Sequence, residues 1–263
     1  MCLFQGMSLL LYNSFSHYKD RNFSYLWKIF VLKGILYLIP SPLGDNDPKE
    51  VIPVTVMELA STLKHFVVEE VRTARRYLSK IGLKGKIDTL EFYELNEHTK
   101  PEEVEEYVKI LLSGENVGLI SEAGLPAVAD PGSLLVELAH NNGIEVRPMV
   151  GPSSLMMALM ASGMNGQSFA FTGYLPVKPE ERRARIKQLE KLSLTQHQTQ
   201  IIIETPYRNN SLLGDMLLAC SPKTRLCIAA EISLEGAFIK TKTIEQWGRE
   251  KVDLNKKPCV FIL

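Results

Sequence analysis

Cysteine is scarce in this chain: there are four in 263 residues, none in a CxxC pair and none in a Cys/His cluster with zinc-ligand spacing. That excludes a disulfide framework or a structural zinc site, and no metal is expected. Cys220, Cys227 and Cys259 sit in apolar runs and read as buried free thiols, which suits a reducing, cytoplasmic setting; Cys2 is the fourth. Net charge is missing too. Thirty Lys and Arg balance thirty Asp and Glu, so bulk attraction to nucleic acid is excluded and any such role falls to a local basic patch. No apolar run reaches the roughly 20 residues of a membrane span: Phe4 to Phe15 is short, and Lys19, Asp20, Arg21 and Lys28 interrupt the stretch beyond it. No basic start precedes that run and no A-x-A site comes after it, a poor match to a signal peptide. The chain lacks GxxxxGK[ST], a GxGxxG after a strand, GxSxG and HExxH, which removes the common nucleotide, hydrolase and metalloprotease motifs. Its five histidines are scattered, and only His98, after Asn96-Glu97, has a motif-like setting.

What is present is an ordinary globular balance, 45% hydrophobic and 23% charged, at a length that accommodates two α/β domains. Residues 1–33 differ in composition, carry only Asp20 as an acid, and read as a disordered or mis-assigned leader. The folded protein is expected to begin near Gly34, with 26 basic residues against 29 acidic. From there strands and helices alternate. Gly34–Ile39, His65–Glu69, Asn116–Ser121, Ile144–Val150, Gln167–Thr172, Gln200–Glu204, Arg225–Glu231 and Pro258–Leu263 read as strands. Thr55–Leu63, Val71–Ile81, Pro101–Ser113, Ser133–Asn141, a segment after Ser153, Glu180–Leu192 and Asn210–Ala219 read as helices. Such alternation is the signature of a parallel α/β sheet and predicts α/β architecture, with a domain boundary near Val150–Pro152, an N-terminal domain over 34–150 and a C-terminal domain over 151–263.

Three predicted strands run into Gly/Pro-rich loops: Pro40–Gly44, Ala123–Gly132 and Gly151–Ser154. Ligands of open α/β sheets bind at the carboxyl ends of strands, and Gly and Pro hold backbone N–H and C=O groups close to a ligand in fixed geometry. Each loop taken alone also reads as an ordinary tight turn. Arg72, Arg75 and Arg76 recur at helical spacing, with Lys80, Lys84 and Lys86 beyond, and form the candidate phosphate-binding patch; the alternative is a solvated helix face. A second run, Arg182, Arg183, Arg185 and Lys187, is diluted by Glu180, Glu181 and Glu190.

Five segments, in order, carry a resemblance. Leu36-Tyr37-Leu38-Ile39-Pro40-Ser41-Pro42-Leu43-Gly44 comes first, and Leu119-Ile120-Ser121-Glu122-Ala123-Gly124-Leu125-Pro126, continuing through Ala129-Asp130-Pro131-Gly132, comes second. Gly151-Pro152-Ser153-Ser154, Phe171-Thr172-Gly173-Tyr174-Leu175-Pro176 and Ile203-Glu204-Thr205-Pro206-Tyr207-Arg208 complete the set. Together they resemble the ribosomal RNA small subunit methyltransferase I family of the tetrapyrrole-methylase superfamily. The family's Ser-Asp-Ala-Gly-Thr-Pro reads Ser121-Glu122-Ala123-Gly124-Leu125-Pro126 here, and its Arg-Glu-Leu-Thr-Lys reads Ala230-Glu231-Ile232-Ser233-Leu234.

The resemblance implies two α/β domains with S-adenosyl-L-methionine in the cleft between them. It implies 2′-O-methylation of a cytidine in 16S rRNA of the small ribosomal subunit, with a homodimer expected. By the same resemblance, cofactor contacts fall on Pro42, Leu43, Gly44, Ala123, Gly124, Leu125, Pro126, Val128, Ser153, Ser154, Tyr174 and Leu175. A ribose hydroxyl is a weak nucleophile and needs a base or hydrogen-bond acceptor, for which Glu122 is the first candidate and Glu97 and Glu231 the alternatives. Arg72, Arg75 and Arg76 are the RNA-binding candidates. A small-molecule methyltransferase of the tetrapyrrole type shares the fold and is the competing reading; a non-enzymatic binding module would leave the cofactor loops without purpose.

Overall fold

The computed structural model describes residues 32–263, and the leader reading therefore lies almost wholly outside the described residues. The first half builds a five-stranded, fully parallel sheet in the order β3-β2-β4-β1-β5. Its strands are β1 (Ile35–Ile39), β2 (His65–Val68), β3 (Glu91–Glu94), β4 (Val117–Ile120) and β5 (Glu145–Pro148). β1 and β4 lie side by side at the centre with Leu36 opposite Val117 and Ile39 opposite Ile120. They are continuous apolar runs because both faces of a parallel sheet are covered. Helices α1 (Pro48–Val51), α2 (Val54–Ala60) and α3 (Val71–Leu78) cover one face, packing Val56, Ala60 and Leu78 on Ile39, Phe66 and Ile120. Helices α4 (Pro101–Leu112) and α5 (Ser133–Asn141) cover the other, with Val104, Leu111 and Leu135 on Leu36, Val67 and Leu119.

Local chemistry sets the helix starts. Glu70 caps α3 by accepting from the Arg72 and Thr73 amides, each at 2.8 Å, and Pro101 opens α4 with Glu102 and Glu103 in its first turn. α3 runs to Leu78 and then widens into a π-helical turn over Ser79–Leu83, closed by Gly82 at φ 110°. The expected single helix to Ile81 is thus interrupted, because Gly82 occupies a backbone region that L side chains rarely adopt.

The second half holds the sheet β6-β7-β10-β8-β9. Its elements are α6 (Ser154–Ser162), β6 (Phe169–Gly173), α7 (Pro179–Gln196), β7 (Thr199–Ile203), α8 (Asn209–Ala219), β8 (Arg225–Ala230), β9 (Phe238–Thr243), α9 (Ile244–Trp247) and β10 (Cys259–Ile262). Unlike the first, this sheet is mixed. Only β6 and β7 are parallel; β10 inserts antiparallel between β7 and β8, and β8 and β9 form an antiparallel pair. The reason is that no helix separates β8 from β9: Glu231–Ala237 turns the chain directly, and a direct turn can join only antiparallel neighbours. α7, α8 and α9 pack one face through Ile186, Leu189, Leu212, Met216 and Trp247. α6 packs the other through Leu155, Ala158 and Leu159 on Ile201, Cys227 and Val260. Cys220, Cys227 and Cys259 are all buried free thiols, and burial pushes Cys220 and Cys259 up to about 12, which leaves them unreactive.

Candidate functional site

Three loops interlock at the carboxyl ends of β1, β4 and β5. The direction of the chain's crossovers changes between the neighbours β1 and β4, the place where open α/β sheets present a ligand crevice. Ser41 and Gly124 exchange two backbone hydrogen bonds, Ser41 N to Gly124 O at 2.9 Å and Gly124 N to Ser41 O at 3.1 Å. The Ser41 hydroxyl donates to Ser121 O at 2.6 Å, and the Tyr77 hydroxyl donates to Pro40 O at 2.9 Å. Gly151 presses so closely on the Pro40 ring that a Cβ there would fall 2.2 Å from Pro40 Cβ. The Gly and Pro residues of these loops are therefore packing requirements between loops. The second half joins through Asn46, whose Nδ2 donates to Ser233 O at 2.6 Å.

Two adjoining cavities open beneath this lock and share Ala123, Ser154, Tyr174 and Ile203. The larger, about 230 Å³, has mainly apolar walls from Leu43, Ile203, Ala229, Ile232, Leu234 and Val260, with Glu204 and Glu231 as its carboxylates. The smaller, about 130 Å³, is polar: Gly124, Asp130, Ser153 and Ser154 line it with Leu125 and Val128. Ala127 and Ala129 flank Val128 at φ 63° and 62°, and Glu231 and Ser233 stand at 52° and 70°. Such left-handed non-glycine backbone is costly, and here it falls on two of the loops that supply the cavity walls.

Above the lock runs an outer groove of about 560 Å³, which meets the cavities at Ala123. Pro42, Gly44, Asn46, Thr73, Arg76, Tyr77, Lys80 and Glu122 line it. Desolvation raises the Glu122 carboxyl above its usual range, as do Glu69 and Glu70, while the Thr73 hydroxyl and Arg76 oppose the rise. Round the corner, Arg72, Arg75, Arg76 and Lys84 border a shallower groove of about 650 Å³. Arg75 is already engaged with Asp88, and no ion pair is found for Arg72 or Arg76 among the described residues.

Of the cofactor residues expected from sequence, Leu43, Ala123, Gly124, Leu125, Val128, Ser153, Ser154 and Tyr174 gather around the joined cavities. Pro42 and Gly44 face the outer groove with Glu122. Pro126 is buried and lines neither cavity, and Leu175 belongs to the core of the second half. Asp130, Glu204, Ile203, Ala229, Ile232 and Leu234 were not foreseen as lining residues. Asp130 and Glu204 stood inside matched segments, and the strand-end position of Ile203-Glu204 was the available signal. Ala229 comes from β8, and Ile232 and Leu234 from the turn after it, inside the segment set against the family's Arg-Glu-Leu-Thr-Lys.

Two carboxylate oxygens at these cavities are buried without a hydrogen-bond partner, Asp130 Oδ2 and Glu204 Oε2. Burial pushes Asp130 up to about 6, helped by Glu122 and opposed by the Ser121 hydroxyl. Since its folded pKa lies above the 3.8 of an unperturbed Asp, the folded state holds its proton more tightly, and the stability this gives is lost as pH rises through about 6. Asp130→Asn is therefore expected to melt higher than the parent at pH 8, by the equivalent of about 1–3 kcal/mol, with the advantage gone by pH 4. Thermal melts of both proteins across that range check it; equal melting at every pH would show that Asp130 ionises freely.

With this geometry in view, comparison with known proteins places the chain. Residues 36–247 match the family described as Tetrapyrrole (Corrin/Porphyrin) Methylases, and the chain belongs to that family. Within it, the relatives are proteins named Ribosomal RNA small subunit methyltransferase I. That of Mesorhizobium japonicum is 32% identical over 213 residues, 81% of this chain and 68% of its own length. That of Vibrio cholerae is 30% identical over 199 residues, 76% of this chain and 65% of its own, and that of Haemophilus influenzae is 29% identical over 88% of this chain and 79% of its own. The chain thus spans about two thirds of the length of the first of these relatives. Two solved structures share the fold. The methyltransferase CobJ aligns with a TM-score of 0.58 at 13% identity, over 88% of this chain and 93% of that one. Uroporphyrin-III C-methyl transferase from Thermus thermophilus, complexed with S-adenyl homocysteine, aligns at 0.52 and 16% identity, over 87% and 96%.

Proposed function

We propose that the chain is an S-adenosylmethionine-dependent methyltransferase, with the cofactor in the joined cavities and the methyl acceptor entering from the outer groove. The observation that carries this reading is the convergence on one space of loops from both sheets, with a buried, unpartnered carboxylate oxygen from each half. An adenosyl ligand brings an apolar ring for the larger cavity and N–H and O–H donors for those oxygens, so the residues fit the group. When bound it supplies an electrophilic methyl on a positively charged sulfur. The protein's work is to align an acceptor oxygen with that methyl and to exclude water. Glu122 lines the groove next to Ala123, where groove and cavities meet, and is our candidate to take the proton of the acceptor hydroxyl. Its raised pKa brings it nearer the working range of a base.

The names of the relatives point to the RNA of the small ribosomal subunit as substrate, and the target of this reading is a cytidine 2′-hydroxyl. Arg72 and Arg76, on the exposed face of α3 beside the outer groove, support it as phosphate contacts. The direct test is label transfer from methyl-labelled cofactor to purified small subunits, with tetrapyrrole precursors in parallel. Label in ribosomal RNA with none in tetrapyrrole is expected; the reverse overturns the RNA reading in favour of a small-molecule methyltransferase. Each phosphate contact releases counterions, so Arg72→Ala with Arg76→Ala is expected to weaken particle binding about 10-fold or more and to reduce its log–log salt slope by between about 1 and 2. Cofactor affinity stays unchanged; an unaltered salt slope would clear α3 of phosphate contact.

We further take the protein to be a cytoplasmic homodimer of two-domain subunits, divided between the end of β5 at Pro148 and the start of α6 at Ser154. Among the described residues no helix is long and apolar enough to cross a membrane and no group of three or more potential ligands could hold a metal. Phe169 and Phe171 leave apolar surface exposed on the edge strand β6, which supports a subunit contact there. Light scattering in solution tests the dimer.

A further inference from the structure

Glu204 ends β7 with its side chain fully buried in the wall of the larger cavity. Its two oxygens are treated differently. Oε1 accepts from Thr205 N at 2.7 Å, and from Arg208 Nη2 at 2.6 Å and Nε at 3.1 Å. Oε2 has no partner among the described residues and no access to solvent. Ion-paired with Arg208, the carboxylate offers acceptors only. An anionic oxygen without a donor is costly when buried, and the walls around it, Ile203, Pro206, Ala229, Pro258 and Val260, are apolar.

We propose that Glu204 reads the base of the cofactor: its free Oε2 accepts a hydrogen bond from the 6-amino group of an adenine lying between those apolar walls. The inference rests on the adenosyl-cofactor reading above and adds to it a residue that fixes which base is accepted. The larger cavity takes the ring because its walls are apolar, and the polar cavity at Ser153, Ser154 and Asp130 takes the sugar and amino-acid end. A turn about the broad terminal torsion of the glutamate, with Arg208 following Oε1, is the movement by which Oε2 would meet the ring. A site built to accept from an amino group rejects an analogue with a carbonyl there, because two acceptors then face each other.

The test compares S-adenosylhomocysteine with S-inosylhomocysteine, in which an oxo group replaces the 6-amino group, by calorimetry on the full chain and its Glu204→Gln variant. The parent is expected to prefer the adenosyl ligand by about tenfold or more. In the variant the amide oxygen stays on Arg208 and the amide N–H₂ takes the place of Oε2, so the preference falls to near unity or reverses. 5′-Methylthioadenosine, which keeps the base and lacks the amino acid, should lose as much affinity in the variant as S-adenosylhomocysteine does. A thermal melt run beside each titration separates binding from folding, and Arg208→Lys, which keeps a cation beside Oε1, should retain the base preference if Glu204→Gln proves unfolded. An unchanged base preference in the folded variant overturns the proposal and leaves the cofactor site standing. Failure of the parent to bind either ligand would instead overturn the cofactor reading itself.

Discussion

Gly124→Arg is expected to abolish measurable cofactor binding, a loss of more than about 100-fold, while Gly124→Ala weakens it by a lesser amount. Gly124 stands at φ 79°, and a Cβ there would meet Leu43 Cδ2 at 3.2 Å and Pro152 O at 3.5 Å. Alanine pays mainly for the left-handed backbone, about 1–2 kcal/mol. Arginine adds a long cationic chain at the seam of all three strand-end loops, beside the polar cavity that Gly124 lines. There it fills the volume the ligand needs and sets a positive charge near the proposed place of a positively charged sulfur. Calorimetry with S-adenosylmethionine reads the affinity, and a circular dichroism melt confirms that the scaffold survives. Near-parental affinity in a folded Gly124→Arg protein would move the cofactor away from this seam.

The same seam shows what was legible in the sequence. Apolar runs ending in Gly and Pro fixed β1, β4 and their loops, because a strand buried on both faces has to be apolar and a loop packed against a proline ring, as Gly151 is on Pro40, has to be glycine. β3 and β9 were not legible. Glu91-Phe92-Tyr93-Glu94 and Phe238-Ile239-Lys240-Thr241-Lys242-Thr243 are edge strands, half polar because one side meets solvent, and their local pattern resembles loop. Missing β9 also hid the antiparallel character of the second sheet. Of the site, the loops were readable because their geometry is local. Ile232 and Leu234 stood in the segment set against the family's Arg-Glu-Leu-Thr-Lys, but that they and Ala229 line the cavity follows from the position of β8 next to β10, a long-range pairing. Glu204 was visible as part of a segment, but its half-satisfied carboxylate emerges only from the packing of Thr205 and Arg208 around Oε1.

Asp215→Ala is expected to cost about 3–5 kcal/mol of stability, which at this chain length lowers Tm by about 6–20 °C. Arg182 and Asp215 form an ion pair between α7 and α8 with side chains 3% and 8% exposed. Arg182 Nε donates to Asp215 Oδ2 at 2.6 Å, Nη2 to Ser211 Oγ at 2.9 Å and Nη1 to Val177 O at 3.3 Å. Arg183 reaches the same aspartate at 3.5 Å, but it is partly exposed and screened. Removing the carboxylate strands a guanidinium where water cannot reach it, and that uncompensated charge is the source of the cost. Replacing both partners, as in Arg182→Met with Asp215→Leu, removes the charge together with its counterion and should recover most of the lost stability. Stability separates the two variants, and function does not. The bond to Val177 O ties the Gly173–Val177 segment, and with it Tyr174, to α8, and both variants loosen that tie. The double variant should therefore regain its melting temperature and still bind cofactor more weakly than the parent. Melting curves and titrations of the parent, single and double variants decide it: a double variant as unstable as the single would show that the ion pair itself, rather than the stranded charge, holds α7 to α8.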